Sequence, residues 1–274
     1  DRCLSRGLGD VYKRQVLLKN NENLLPLDPT KHYVIVGDAA QSINSQMGGW
    51  TITWQARENK NSDYKNVQSI YNALASNIVS QGGTVEFSMD GAYQKKPDAV
   101  IVVYGEEPYA EGDGDRKDLQ FSSKDSTYLA IMESYKKQEF PIVSIFLSGR
   151  PLEINRQLNL SNSFVAAWLP GTAVEGIGDV IFTKNGQVNY DFKGKLSYSW
   201  PKNVNQNLNF KDANYKPLFK YGYGLDYSST QNLLNVEETL IIKEVDEIAL
   251  FVGSAYPPGI EFVQEGANVE QIQS

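Results

Sequence analysis

Cysteine and histidine are nearly missing from this chain of 274 residues, each occurring once, as Cys3 and His32. A single histidine, opening a strand-like run, excludes a Ser-His-Asp triad and a histidine metal site. A single cysteine cannot close an internal disulfide. Long apolar runs are also missing, which excludes a transmembrane helix. Basic charge is outweighed: 26 Lys and Arg stand against 33 Asp and Glu, a net charge of -7. A nucleic-acid partner would need a basic face, so none is expected. Gly37-Asp38-Ala39-Ala40 follows a strand, but no G-x-G-x-x-G or Walker motif does, and nucleotide binding has no support. No internal repeat of fixed period is visible.

What is present is an ordinary globular composition with many aromatics. Hydrophobic residues make up 41% and charged residues 22%, and aromatics reach 11%, with 16 tyrosines and 4 tryptophans. Sugar-binding proteins share this enrichment because pyranose rings stack on aromatic faces. The first residues are of another kind. Ser5 to Gln15 is what a common transposase-based sequencing adaptor gives when translated in frame, and Asp10 to Gln15 back-translates to the transposon end. Residues 1–15 are therefore left out of the fold reasoning, as a fusion scar would be. Cys3 lies within them. The chain is expected to be a fragment without its native start, one substantial domain plus the opening of another.

Strand and helix signals alternate along the remainder. Strands are predicted at His32–Val36, Thr84–Phe87, Ala99–Tyr104, Pro141–Leu147 and Phe164–Trp168, and helices at Val67–Ile78, Tyr128–Tyr135 and Val174–Phe182. Ala99-Val100-Ile101-Val102-Val103-Tyr104 has no polar face and reads as a fully buried strand. This βαβ rhythm implies an α/β fold with a mostly parallel sheet. Ligand sites of such sheets collect at the carboxyl ends of the strands.

The chain is organised around one such exit, Gly105-Glu106-Glu107-Pro108-Tyr109-Ala110-Glu111-Gly112-Asp113-Gly114-Asp115. It runs from the buried strand towards Ser122 and Ser123, a helix start. Five acids in eleven residues repel one another, and repulsion raises the pKa of the least solvated one, which suits a general acid. An acidic loop can equally be a solvated loop. A calcium loop with Glu111, Asp113 and Asp115 at alternate positions fails, because Arg116 takes the place of glycine and Ser122 that of the bidentate glutamate. Three further exits join the same edge: Gly48 to Gln55, Ser148-Gly149-Arg150-Pro151, and Leu169-Pro170-Gly171-Thr172. Trp50 and Trp54 are candidate ligand platforms, with core packing as the alternative. Flanking glycines and β-branched Thr51, Ile52 and Thr53 argue against a helix there. A carboxylic acid beside aromatic platforms suggests glycoside chemistry. That chemistry needs two carboxyls, and one strong candidate is visible.

Several short motifs in one order carry a resemblance. They are Val16-Leu17-Leu18-Lys19-Asn20 with Leu24-Leu25-Pro26-Leu27, Gly48-Gly49-Trp50-Thr51-Ile52 with Trp54-Gln55, and Gly105-Glu106 through Asp115. Ser148-Gly149-Arg150-Pro151, Ala166 to Thr172, Gly194-Lys195-Leu196, Ser199-Trp200-Pro201 and Tyr221-Gly222-Tyr223-Gly224-Leu225 complete the set. From Val16 to Tyr227 the chain resembles the second domain of glycoside hydrolase family three, in the branch of exo-β-glucanases and β-glucosidases. The resemblance implies a six-stranded α/β sandwich with flavodoxin-like layers, packed on an N-terminal (β/α) barrel that this chain lacks. The barrel would supply the aspartate nucleophile. This domain would supply the acid/base at Glu111 and an aromatic wall of the second-sugar site at Trp54, with Trp50 beside it. Ala56 stands where a glycine usually follows the Trp-Gln pair.

The expected substrate is a β-linked gluco-oligosaccharide or β-glucoside, hydrolysed with retention and with no metal or organic cofactor. The fragment by itself is expected to be inactive. A β-xylosidase of the same family and a non-catalytic carbohydrate-binding or scaffolding module are the alternatives. Export to the periplasm or the extracellular space is expected of polymer-degrading enzymes. Residues 16–227 are expected to form the sandwich. Residues 228–274, with strand-like stretches at Leu240–Lys243 and Ile248–Val252, would open a β-rich domain too short to be stable alone.

Overall fold

The computed structural model describes residues 14–121, 127–206 and 209–238. In chain order its regular elements are β1 (Val16–Asn20), β2 (His32–Val36), α1 (Ile43–Met47), α2 (Ile70–Ser80), β3 (Thr84–Ser88) and β4 (Ala99–Gly105). They continue with α3 (Thr127–Lys137), β5 (Ile142–Leu147), α4 (Asn155–Leu160), β6 (Ser163–Ala166), α5 (Glu175–Ile181) and a two-strand ribbon of β7 (Thr183–Lys184) and β8 (Gln187–Val188). The six longer strands form one sheet in the order β1-β6-β5-β4-β2-β3. All pairs are parallel except β1 with β6. This is the mostly parallel six-stranded sandwich that the sequence leads one to expect.

Period-two alternation divides the strands between two cores, except the edge strand β3, whose Val85 and Phe87 pack on one core only. Tyr33, Ile35, Ile101, Val103, Val143, Ile145, Leu147 and Val165 face one side, where Ile70, Leu74 and Ile78 of α2 and Ile177, Val180 and Ile181 of α5 cover them. Val34, Val36, Val100, Val102, Tyr104, Ile142, Phe146 and Phe164 face the other, under Tyr128, Ile131, Met132 and Tyr135 of α3, Leu158 of α4, and Trp200. Burial on both faces is why β4 and β5 read as continuous apolar runs. Ser144, the polar member of β5, bonds the Tyr104 and Ser161 hydroxyls at 3.1 and 2.7 Å.

Element boundaries follow local chemistry. The helix predicted from Val67 begins instead at Ile70, because the Ser69 hydroxyl accepts the Asn72 amide at 3.2 Å and caps it there. Strand β6 ends at Ala166 rather than Trp168, whose φ of 55° is incompatible with a strand. Strand β1, quoted above only as a motif, is a fully buried edge strand. The start signal at Ser122 and Ser123 and the strand-like stretches beyond Leu240 lie outside the described residues. Residues 228–238 follow the domain without regular structure. Asn21 and Asn159 each pair with both main-chain groups of one residue there, Leu233 and Val236 respectively.

Candidate active site

Four exit loops meet at the carboxyl edge of the sheet. Gln46 of α1 donates to the Gly171 carbonyl at 2.9 Å and accepts from the Gly171 amide through its own main-chain carbonyl at 2.9 Å, tying the β6 exit to the loop after β2. Gly49 lies so close to the acidic loop that a β-carbon there would sit 2.1 Å from the Tyr109 main-chain oxygen. No other residue type fits.

The loop Gly48 to Arg57 presents an apolar tip. Trp50 is 68% exposed, Ile52 61% and Trp54 51%, with the two indole centroids 6.3 Å apart and tilted by 47°. Core packing is thus not their fate. The Trp50 amide closes the tip on the Trp54 carbonyl at 2.8 Å. Asn59 fastens it from below, donating to the Thr51 carbonyl and accepting from the Thr53 hydroxyl, both at 2.7 Å. Trp50, Ile52 and Ala56 have φ of 59°, 68° and 61°. Left-handed backbone costs a non-glycine residue on the order of 1–3 kcal/mol, and it persists where surrounding contacts over-determine it.

The acidic loop departs from the expectation of mutual repulsion, because arginines neutralise two of its carboxylates, Glu106 and Asp113. Glu106, whose side chain is 8% exposed, pairs with Arg150 at 3.2 Å and Arg116 at 3.5 Å and accepts from the Ser148 hydroxyl at 2.7 Å. Arg150 lies 4.2 Å above the Tyr109 ring and donates to the Gly114 carbonyl at 2.6 Å. Burial, and then Glu106 beside it, pushes the Tyr109 phenol above its ordinary value. Asp113 pairs with Arg57 at 2.8 Å. Glu111 is exposed, opens a short 3-10 turn (Glu111–Gly114) and has φ 50°. Its carboxylate makes no hydrogen bond or ion pair with the described residues. No cluster of three or more metal-ligating side chains exists among the described residues.

Two residues join these loops that sequence reasoning gave no role. Gln55 accepts the Ala110 amide through Oε1 at 2.8 Å and donates to the Ala110 carbonyl through Nε2 at 3.1 Å. Arg57 donates through Nε to the Pro108 carbonyl at 3.0 Å. Beside the site, an open hollow of about 460 Å³ is lined by Ser148, Gly149, Trp168, Leu169 and Tyr198 among others.

The model of the glycosyl hydrolase family 3 C-terminal domain matches residues 15–227. The chain belongs to this family. Among curated family relatives, a periplasmic β-glucosidase of Salmonella typhimurium is 26% identical over 78% of this chain and 33% of that protein. A lysosomal β-glucosidase of Dictyostelium discoideum is 29% identical over 78% of this chain and 28% of that protein. Among solved structures, an exo-1,3/1,4-β-glucanase from a Pseudoalteromonas species is 46% identical. It superposes with a TM-score of 0.83, covering 86% of this chain and 30% of that one. The chain therefore spans about a third of the length of these relatives. Among its described residues no helix is long and apolar enough to cross a membrane.

Proposed function

We propose that this chain is the second domain of a retaining, exo-acting β-glucosidase or 1,3/1,4-β-glucan glucohydrolase. Residues 16–227 form its sandwich, and 228–274 open a further, β-rich domain. The observation that carries this reading is the pairing pattern at the carboxyl edge. Glu106 and Asp113 are neutralised by arginines, whereas Glu111, like Asp115, stands exposed with its carboxylate unpaired among the described residues, and Glu111 directly follows Ala110, which Gln55 beside Trp54 holds. Relatives that are β-glucosidases and an exo-glucanase support it.

In this reading a sugar at the scissile bond's leaving side stacks on Trp54, with Trp50 extending the wall. A carboxylate from a preceding barrel domain attacks the anomeric carbon. Glu111 gives its proton to the glycosidic oxygen as the bond to the leaving sugar breaks. In the second step Glu111 takes a proton from water, which attacks the glycosyl-enzyme ester and releases the sugar with retained configuration. The two carboxyls of such enzymes lie about 5–5.5 Å apart. The chain alone, holding only one of them, is inactive. One relative favours a second sugar: a β-xylosidase of Formosa agariphila is 26% identical over 79% of this chain. The relationship to a periplasmic enzyme also makes export part of the proposal.

The test is expression of the full-length gene and assay on β-glucosides and β-xylosides, with the first-formed anomer followed by NMR. Preferred cleavage of glucosides with a β-configured first product is expected. Preference for xylosides would move the enzyme to the second reading. An inverted product, or sugar binding without hydrolysis, would overturn the proposal.

A further inference from the structure

We propose that Gln55 and Arg57 are positioning residues that set Glu111 from the tryptophan loop. The sugar platform and the acid then sit on two loops braced against each other. The inference rests on the acid role of Glu111 and goes beyond it.

The grips fall on both sides of Glu111 and leave its side chain alone. Gln55 meets both main-chain groups of Ala110, the preceding residue, at 2.8 and 3.1 Å. A planar amide that donates and accepts at one peptide position acts as a strand neighbour would. It fixes the direction in which the chain enters Glu111. Arg57 reaches the Pro108 carbonyl at 3.0 Å and the Asp113 carboxylate at 2.8 Å, one contact before Glu111 and one after it. Between Gln55 and Arg57 lies Ala56, fully buried with φ 61°, and Glu111 itself has φ 50°. Each of the two joined loops thus carries a left-handed residue beside the clamp, a conformation that persists where surrounding contacts over-determine it. Trp54 directly precedes Gln55. A sugar seated on Trp54 therefore rests on the residue adjacent to the clamp, and a misplacement of about 1 Å in such a constellation costs on the order of 100-fold in rate.

The experiment compares Gln55→Met, which keeps the volume and removes both hydrogen bonds, with Arg57→Met and Glu111→Gln in the full-length enzyme. Each is assayed on unactivated β-glucosides and on dinitrophenyl β-glucoside, whose leaving group needs no proton. Gln55→Met is expected to lose about 10- to 100-fold in kcat/KM on unactivated substrates and less than about 3-fold in kcat/KM on the activated one, with thermal stability retained. Arg57→Met is expected to follow in the same sense. Loss of the same size on both substrates, or no loss, would overturn the positioning role while Glu111→Gln still shows the split. Absence of the split in Glu111→Gln would instead overturn the acid assignment and the clamp with it. If Gln55→Met does not fold, Gln55→Glu keeps the acceptor for the Ala110 amide and is read in the same way. A readout in this chain alone is amide hydrogen exchange at Ala110. It is expected to accelerate at least about 10-fold in Gln55→Met, and an unchanged rate would overturn the proposal.

Discussion

The interior of the sheet and its carboxyl edge are held by opposite means. In β2, β4 and β5 nearly every apolar side chain is fully buried, and each strand serves two cores through simple alternation. The backbone there is regular, and burial does the holding. At the edge, three bulky residues, Trp50, Ile52 and Trp168, adopt left-handed backbone, as do Ala56 and Glu111. Among the described residues, the left-handed ones elsewhere, Glu22, Asn23, Asn66, Glu139 and Asn185, are neither aromatic nor β-branched. The edge is kept in place by side chains that grip distant main chain: Gln46, Gln55, Arg57 and Arg150. Stability and the proposed chemistry thus fall on different residues, and substitutions should separate them.

The sharpest separation is expected at Glu111. Glu111→Gln in the full-length enzyme should reduce hydrolysis of unactivated β-glucosides by about 10²–10⁴-fold. For activated aryl glucosides kcat/KM, which reports the first step alone, should fall far less, and the unfolding midpoint should stay in place, because nothing among the described residues leans on this carboxylate. Equal losses on both substrates would remove the acid role. The opposite case is Phe146 of β5, 1% exposed, with rings of Phe121, Tyr104, Phe164 and Trp200 within 4.9 to 6.3 Å. Phe146→Ala should cost about 3–5 kcal/mol in urea unfolding. A loss under about 1 kcal/mol would show that the second core repacks and that the interior is less decisive than its burial indicates.

The same division decides what was legible in the sequence. Runs such as Ala99–Tyr104 and Ile142–Leu147 are apolar because both faces are covered, so strand positions and the parallel order could be read directly. The convergence of four loops at one edge followed from that order. The glycine and β-branched neighbours of Trp50 and Trp54 spoke against a helix, but they left exposure and core packing open as alternatives, because solvent exposure of a loop depends on distant chain. Grips between Gln55 and Ala110, or Arg57 and Asp113, span more than fifty residues and leave no local period. The acidic loop was misjudged for the same reason: its neutralising arginines, Arg57 and Arg150, come from other loops, and Arg116 was weighed only as a failed calcium position.

Lys19 tests the comparison from inside the sheet, as a cation in the fully buried strand β1. Its ammonium, on a residue 3% exposed, donates to the Leu158 carbonyl at 2.8 Å. Burial, with Lys136 adding repulsion, lowers its pKa from 10.5 to about 8. Between those values the unfolded chain holds the extra proton, so this residue makes stability rise with pH from about 8 to 10.5. Below that window the burial penalty is present in full, and above it the penalty is gone. Lys19→Met should remove this slope, seen as the difference between the two proteins in denaturant midpoints from about pH 7.5 to 10.5. Parallel curves would mean that water reaches the ammonium and that the interior tolerates charge.

The smallest effect is expected at Ala56, where the edge carries a residue its backbone does not favour. With φ 61° and no solvent exposure, this position suits glycine, which is the residue the Trp-Gln motif leads one to expect there. Left-handed backbone costs an L-residue about 1–2 kcal/mol. Glycine returns about 0.4–1 kcal/mol of that through the greater freedom of its unfolded chain. Ala56→Gly should therefore stabilise by roughly 0.5 kcal/mol, a shift of about 1–2 °C in a domain of this size. Destabilisation would mean that the buried methyl group matters more than the strain. The strained alanine would then be part of the packing that holds Gln55 and Arg57 against the acidic loop, and the edge would depend on burial as the interior does.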